Sequence, residues 1–354
     1  MQITKIREKI DQLDKHIVEL INDRACLIQK IGGFKKKTGQ SAYVPEREKE
    51  VYKKVAGYNQ GPVPAELLKN VYREIMSISL ALEKSVAISY LGPAATFTQL
   101  AAMKKFGSSV NYVECLSITE IFNEVEKGNT DFGVVPIENS FEGAVNHTLD
   151  MFIDSELKIC SEIYLKISHF LLSKTKDIKK IKRVYSNPQV FGQCRMWLEK
   201  NMPSAELAEV SSTARAAQIA AGEKGAGCIA SKMAKDIYKL SIIASAIEDA
   251  PTNITRFLVV GKTLAKPTGD DKTSIMLSIK DKVGALHTVL MPFKKHNINL
   301  TKIESRPSKK KAWDYYFFID LEGHCKDSKV NKTLDELNKA ASNFKILGSY
   351  PHAI

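Results

Sequence analysis

The stretch ITKIREKIDQLDKHIVELINDRACLIQKIGGF, residues 3–34, decides the architecture of the first part of the chain. Ile3, Ile6, Ile10, Leu13, Ile17, Leu20, Leu27, Ile31 and Phe34 recur at steps of three and four, or sums of these, as on one face of a helix. No Gly or Pro interrupts the run before Gly32. A helix of that span is ~50 Å long at 1.5 Å per residue, too long for a compact partner within its own segment to cover. A second helix is expected from Pro45, with Glu46 and Glu48 in a first turn that favours negative charge. The turn GYNQGPVP at 57–64 separates it from a third helix running to about Lys84. One long helix and two short ones predict an all-α, intertwined helical dimer.

Polar residues break the apolar stripes. Arg24 falls between Leu20 and Leu27, and on a helical wheel Lys35 lies about 20° from it. The third helix has the stripe Leu68, Val71, Ile75, Ser79 and Leu82, with Glu83 one turn from Ser79. Two readings are open: a solvated basic face, or cations gathered around an anion, since burying unpaired cations is costly. Arg7 and Arg24 are ~25 Å apart along the axis. A small ligand can meet both only if Arg7 comes from a second copy of the chain.

Outward from this segment the texture changes. VAISYL (86–91), DFGVVPI (131–137), KICSEIYLKISHFLLS (158–173), KRVYS (182–186), GAGCIAS (225–231) and SIIASAI (241–247) alternate with helical stretches. That pattern predicts parallel strands covered by helices. GKTLAKPTGDDK at 261–272 reads as a linker. Beyond it, strand, helix, strand, strand, helix, strand predict a ferredoxin-like βαββαβ module, with a kink or early break at Pro292. The expected domains are 1–85, 86–262 and 271–354.

Composition narrows the partners. Of 354 residues, 44% are hydrophobic and 26% charged, which excludes wholesale disorder. No apolar run reaches the ~20 residues of a membrane span, and the start lacks the apolar core of a secretory leader. The six cysteines include no CxxC and the seven histidines no HExxH, which predicts reduced, mostly buried thiols in a cytoplasmic protein without zinc. The net charge of +12 suits anionic partners. The clusters KKIKR (179–183) and KKK (309–311) lack interleaved aromatics, so solvated faces are expected rather than nucleic-acid binding.

IREKID (6–11), INDR (21–24), Lys35, PEREKEV (45–51) and MSISLALE (76–83) resemble the all-helical chorismate mutases. The resemblance implies that Arg7 of a partner chain, Arg24 and Arg47 bind substrate carboxylates. It places Lys35 and Glu83 at the ether oxygen, Glu48 at the substrate hydroxyl and Ser79 near a carboxylate. Conversion of chorismate to prephenate is a unimolecular rearrangement, so holding a compact conformer and stabilising developing charge suffice. Many relatives carry glutamine in place of Glu83. An ionised Glu83 would repel the ether oxygen, so this reading requires its protonated form.

YLGPAATFTQ (90–99), VVPIENSFEGAVNHTLD (134–150), VYSNPQVFGQC (184–194), SSTARAA (211–217) and IEDAPTNITRFLVVG (247–261) together resemble prephenate dehydratase. The resemblance implies a two-lobed, periplasmic-binding-protein-like domain with its site in the cleft. It implies Thr255 as the residue most tied to catalysis, with Asn139, Ser140, Ser186 and Gln193 as positioning groups. A threonine hydroxyl is a poor acid, so Thr255 is expected to donate a hydrogen bond to the leaving oxygen, fed by Glu138. Arg256 either holds the pyruvyl carboxylate or forms a structural ion pair. Ala94-Ala95 replaces the Glu-Gly usual after YLGP, which reduces the loop's backbone freedom.

GALHTVL (284–290) and KIESRPSKK (302–310) resemble the two effector motifs of ACT domains fused to these dehydratases. Such domains pair side by side and bind phenylalanine. Gly284, Ala285 and Leu286 would meet the effector at a helix N-terminus, with Glu304, Ser305 and Arg306 shaping the neighbouring strand. The whole then reads as a bifunctional enzyme of phenylalanine biosynthesis with chorismate and prephenate as substrates and no metal or organic cofactor, feedback-inhibited by phenylalanine, forming a homodimer or dimer of dimers. The rival reading is an aromatic-acid-binding regulator without dehydratase turnover.

Overall fold

The computed structural model describes residues 2–279, 282–307 and 315–353. They form two compact units, one comprising Met1–Ala87 with Met103–Asn111, the other Ile88–Ala102 with Tyr112–Ile354.

The first unit holds helices α1 (Gln2–Thr38), α2 (Pro45–Tyr58) and α3 (Ala65–Glu83). Pro45 opens α2 with its fixed φ, and Glu46 and Glu48 fill the first turn. Helix α1 runs straight through Gly32 and Gly33. Gly32 is buried, and a methyl there would lie 2.8 Å from Glu83 Cγ and 3.2 Å from Glu83 Cα. Only a bare α-carbon lets α1 and α3 approach this closely. The rest of the α1 stripe stays uncovered, with Ile3 at 68%, Leu20 at 67% and Phe34 at 71% exposure. Residues 103–111 pack into this unit: the Phe106 ring meets Tyr43 edge-on at 4.9 Å, and Ser108 N and Oγ donate to Glu74 at 2.9 and 2.7 Å.

The second unit begins with a lobe built from β1 (Ala87–Leu91), α4 (Phe97–Phe106), β2 (Asn111–Cys115), α5 (Ile118–Lys127), β3 (Phe132–Asn139), β4 (Gly143–Ala144), α6 (Asn146–Asp154) and β5 (Lys158–Lys166). The chain crosses to a second lobe of β6 (Phe170–Ser173), β7 (Arg183–Ser186), α7 (Pro188–Gln193), α8 (Arg195–Asn201), β8 (Glu206–Glu209), α9 (Thr213–Gly222), β9 (Ala226–Ala230), α10 (Lys232–Ile237) and β10 (Ser241–Ala244). It returns as β11 (Ile254–Gly261) into the first sheet, whose order is β2-β1-β3-β11-β5 with β4 on β3.

Parallel sheets were expected; both sheets are mixed. Strand β1 pairs parallel with β3, but β11 runs antiparallel to β3 and β5. In the second sheet, ordered β10-β6-β9-β7-β8, β7 is parallel to β8 and β9 while β6 runs antiparallel to both of its neighbours, β9 and β10. The reversed strands flank the two crossings between lobes, where the chain enters each sheet from the opposite end. The crossing segments bond to one another, Ile167 N donating to Asn253 O at 2.9 Å and Ile247 N to His169 O at 3.0 Å.

The module β12 (Asp271–Ser278), α11 (Ala285–Lys295), β13 (Leu300–Pro307), β14 (Tyr315–Glu322), α12 (Ser328–Ala340) and β15 (Asn343–Pro351) has the expected βαββαβ order, with strands ordered β13-β14-β12-β15. Helix α11 continues through Pro292 without the expected break. The proline forfeits one backbone donor, while burial of Val289, Pro292 and Phe293 holds the turn in place. Side chains alternate across the sheet: Ile275, Leu277, Ile319 and Leu321 meet the helices, and Met276, Tyr316, Phe318 and Tyr350 join a core with Ile137, Phe152, Ile159 and Leu258 of the first lobe. At Gly348 a methyl would sit 2.3 Å from Ile159 O, so β15 lies directly on the backbone of β5. The expected linker is therefore shorter than the sequence suggested: Gly261 ends β11, and Asp271 and Lys272 are buried strand residues.

Candidate active sites

In the helical unit, the close approach at Gly32 carries Lys35, one turn on, to the end of α3. Lys35 Nζ lies 2.9 Å from Glu83 Oε1, and it donates to Glu83 Oε2 at 3.3 Å and to Ala42 O at 3.0 Å. Glu83 Oε1 is buried and accepts no hydrogen bond among the described residues. Arg24 donates to Ser79 Oγ, which in turn donates to Ile75 O at 2.8 Å. Four of the expected residues thus converge in one place.

Burial lowers Arg24 from its ordinary value; Tyr72 opposes the shift and the like charge of Arg47 adds to it. Two cations close enough to disfavour each other form a seat for an anion. Arg47 itself is exposed and pairs with Glu50 at 2.5 Å. Glu48 is nearly buried between two residues that sequence reasoning missed: Tyr43 OH donates to it at 2.9 Å and Lys105 Nζ lies 2.6 Å away. Lys105 is remote in sequence, and no local pattern signals it. Arg7 is exposed on α1, away from this cluster.

In the two-lobed domain, β3 and β11 set Asn139 opposite Thr255 and Glu138 opposite Arg256. Asn139 Nδ2 donates to Thr255 Oγ1 and to Asn253 Oδ1, each at 2.8 Å. Asn139 Oδ1 accepts from Phe141 N at 2.9 Å and Glu142 N at 3.2 Å, which shapes the loop after β3. Asn253 Nδ2 donates to Gln193 Oε1 at 3.1 Å, and His169 Nε2 meets the same oxygen at 2.8 Å. Ser140 Oγ accepts from Ile254 N at 3.0 Å and fastens the loop to β11. Of these groups, Gln193 and Asn253 line a cavity of about 250 Å³, together with Phe141, Glu142, Gln189 and Glu248, among others. His169, Glu142, Glu248 and Asn253 were not singled out in the sequence; the folded crossing segments, and for Glu142 the loop after β3, bring them to Gln193.

Two expectations, for Glu138 and Ser186, require correction, and the choice left open at Arg256 is decided. Glu138 does not feed Thr255. Neighbours on a strand face opposite ways, so Glu138 leaves β3 on the face away from Asn139 and Thr255. There Lys302 Nζ lies 2.9 Å from its carboxylate. Arg256 resolves to the structural ion pair: it is 6% exposed, and its guanidinium bonds Glu162 at 2.9 Å, Asp320 at 2.5 Å and Tyr350 OH at 3.0 Å. Lys272 shares Glu162 at 2.9 Å. Burial opposes the charge on Arg256, but Tyr350, Asp320 and Glu162 outweigh it and raise its pKa. Ser186 is fully buried and its hydroxyl donates to Ile229 O at 2.9 Å, so it locks the second sheet and does not face the cavity.

The loop after β1 is also tied down. Ala94 N donates to Glu114 at 2.9 Å and Ala95 N to Gln99 at 2.7 Å, so these donors are not open to a ligand. Ala95 has φ +73, the left-handed region that disfavours a side chain. In the C-terminal module, Gly284 caps α11 with φ +78, Ala285 is buried and Leu286 is exposed. On β13, Ser305 is exposed, Glu304 half-buried, and Arg306 donates to Asp150 at 3.1 Å. No described contact joins 284–286 to 304–306. Of the basic clusters, Arg183 pairs with Glu206 at 2.8 Å and Glu223 at 3.5 Å, and 309–311 lies outside the described residues. No helix of the described residues is long and apolar enough to cross a membrane.

Comparison with known proteins follows this division. The chorismate mutase type II family matches residues 6–84, the prephenate dehydratase family residues 88–264, and the ACT domain family residues 273–339. The chain is 49% identical over all of its length, and 99% of the relative's, to a bifunctional chorismate mutase/prephenate dehydratase of Aquifex aeolicus. It is 45% identical over all of its length to the protein of the same description from Pseudomonas aeruginosa, covering 98% of it. A crystal structure of prephenate dehydratase from Arthrobacter aurescens in complex with L-Phe matches 75% of this chain and 90% of that one, with a TM-score of 0.70 and 33% identity.

Proposed function

Because the chain belongs to the bifunctional chorismate mutase/prephenate dehydratase family, we propose that it converts chorismate to prephenate in residues 1–85 and prephenate to phenylpyruvate in residues 86–262, under inhibition by phenylalanine at residues 271–354. The six free cysteines, five of them buried, support a reducing, cytoplasmic setting.

In the mutase site, Arg24, Arg47 and Arg7 of the partner subunit hold the two carboxylates of the substrate, with Ser79 beside Arg24. Glu48, steadied by Tyr43 and Lys105, takes the substrate hydroxyl. Lys35 places positive charge at the ether oxygen as its bond to carbon breaks, and Glu83 flanks the same atom. The uncovered α1 stripe supports a dimer in which each long helix crosses the other, since an apolar face of that length is buried against something.

In the dehydratase site, the orientation of Thr255 carries the reading. Its oxygen accepts from Asn139, which leaves the hydroxyl proton free to point into the cleft. There it donates to the ring hydroxyl as that group departs. The ring carboxylate leaves as carbon dioxide, its bonding pair completes the aromatic ring, and the departing hydroxide takes a proton to become water. Asn253, Gln193 and Ser140 hold the frame around it. Incubating chorismate with the purified protein, with and without phenylalanine, and following prephenate and phenylpyruvate tests all three assignments. Binding of prephenate without phenylpyruvate would favour a regulatory binding protein.

A further inference from the structure

Strand β13 carries Lys302, Glu304 and Arg306 on one face, by alternation, and that face meets the first lobe of the dehydratase. Lys302 pairs with Glu138 at 2.9 Å and Arg306 with Asp150 at 3.1 Å. The Lys302 side chain is 13% exposed, and its ammonium makes no hydrogen bond among the described residues. Beside it lies a cavity of about 20 Å³ between Arg256, Asp320, Phe318 and Leu149, room for one water molecule at most. Among the described residues, Glu138 is the anion within ion-pair distance of Lys302, and the same carboxylate lies 4.0 Å from the buried Arg256.

We propose that Lys302 is a positioning residue of the dehydratase, and that its ion pair with Glu138 is the tie through which the C-terminal module governs that site. The next residue after Glu138 is Asn139, whose amide holds Thr255 from the opposite face of the same strand. Lys302 is nearly buried while Glu138 is 38% exposed, so the ammonium has this carboxylate in place of water and separating them costs free energy. A shift of β13 therefore carries Glu138 with it, and β3 turns that displacement into a change at Asn139 and Thr255. Strand β13 also bears Glu304 to Arg306, so an effector seated there acts on the strand that holds the pair. This inference rests on the proposed assignment of Thr255 to dehydration and of the module to phenylalanine.

The test is a separation of binding from inhibition in the full-length chain. In Lys302→Met, phenylalanine binding by calorimetry should stay within about threefold of wild type, while the phenylalanine concentration that halves phenylpyruvate formation should rise at least about tenfold, within the range usual for coupling between sites. Lys302→Arg, which keeps the charge, should restore sensitivity. Glu138→Gln should lose it as Lys302→Met does, and the double variant should lose no more than either alone. Circular dichroism and the urea midpoint of the same samples report intact folding, and the isosteric Glu138→Gln carries the test should Lys302→Met misfold. Inhibition at the wild-type midpoint in a folded Lys302→Met or Glu138→Gln variant would overturn the inference. A wild-type chain without phenylpyruvate formation, or without phenylalanine binding, would instead refute the functional assignment itself.

Discussion

Asn139 and Thr255 face each other across the antiparallel β3–β11 pair, and the Asn139 amide donates to the Thr255 hydroxyl oxygen at 2.8 Å. The bond occupies one lone pair of the Thr255 oxygen and so orients its hydroxyl. Replacing Thr255 with Ala should lower phenylpyruvate formation by about 10²-fold or more, as loss of a donor to a departing oxygen does elsewhere. Thr255→Ser should keep most of it, and prephenate formation from chorismate should be unchanged in both. Near-normal turnover in Thr255→Ala would remove this residue from the chemistry.

Gly32 predicts a steric result. A methyl there meets the Cα and Cγ of Glu83 at 3.2 and 2.8 Å, so Gly32→Ala should force α1 and α3 apart and pull Lys35 from Glu83. We expect about 1–3 kcal/mol of destabilisation and a fall in mutase kcat with dehydratase turnover retained. Denaturant titration together with the two activity assays checks both.

Arg7 and Arg24 predict complementation. Arg7→Ala and Arg24→Ala should each nearly abolish mutase activity alone. Unfolded together and refolded, the two variants should regain up to about a quarter of wild-type activity, because a mixed dimer with shared sites keeps one site free of both substitutions. No recovery on mixing would place Arg7 and Arg24 in the same site of one chain.

Arg256 is a test of role. Removing it leaves Glu162 and Asp320 buried with less compensation, which costs about 3–5 kcal/mol when a buried pair is broken. Arg256→Met should therefore lower the urea midpoint markedly while KM for prephenate in the folded protein stays within about twofold. A large rise in KM at unchanged stability would return Arg256 to the substrate.

His169 predicts a pH dependence. It is 1% exposed, its Nδ1 has no hydrogen-bond partner among the described residues, and burial lowers its pKa although Gln193 and Glu248 oppose the shift. Below the unfolded value of about 6.5, the unfolded chain binds a proton that the folded chain refuses. Stability should then fall as pH drops from about 6.5 toward the depressed folded value, and be unaffected by this group above that range. Denaturation at a series of pH values should show the loss in wild type and a smaller one in His169→Asn.

Much of the fold was legible along the chain, because it follows from local periodicity. The long α1 stripe, the proline start of α2 and the βαββαβ order are patterns of apolar spacing, which a helix or strand must display wherever it packs. Resemblance to known families brought Arg24, Lys35, Ser79 and Glu83 together as a set, and Asn139, Gln193 and Thr255 as another, before any geometry. The strand directions were misread because direction depends on where the chain crosses between lobes, and that is not a local property.

What the amino-acid order alone determined is which residues are helical, which extended, and which chemical groups are present to act. Tertiary structure alone decided that Glu138 belongs with Lys302 and not with Thr255, that Arg256 serves a buried ion network, and that Lys105 supports Glu48. Each of these rests on a contact between segments far apart in sequence, or on the face of a sheet that a side chain leaves. Burial and charge pairing act through space, so the chain must be folded before they assign a partner.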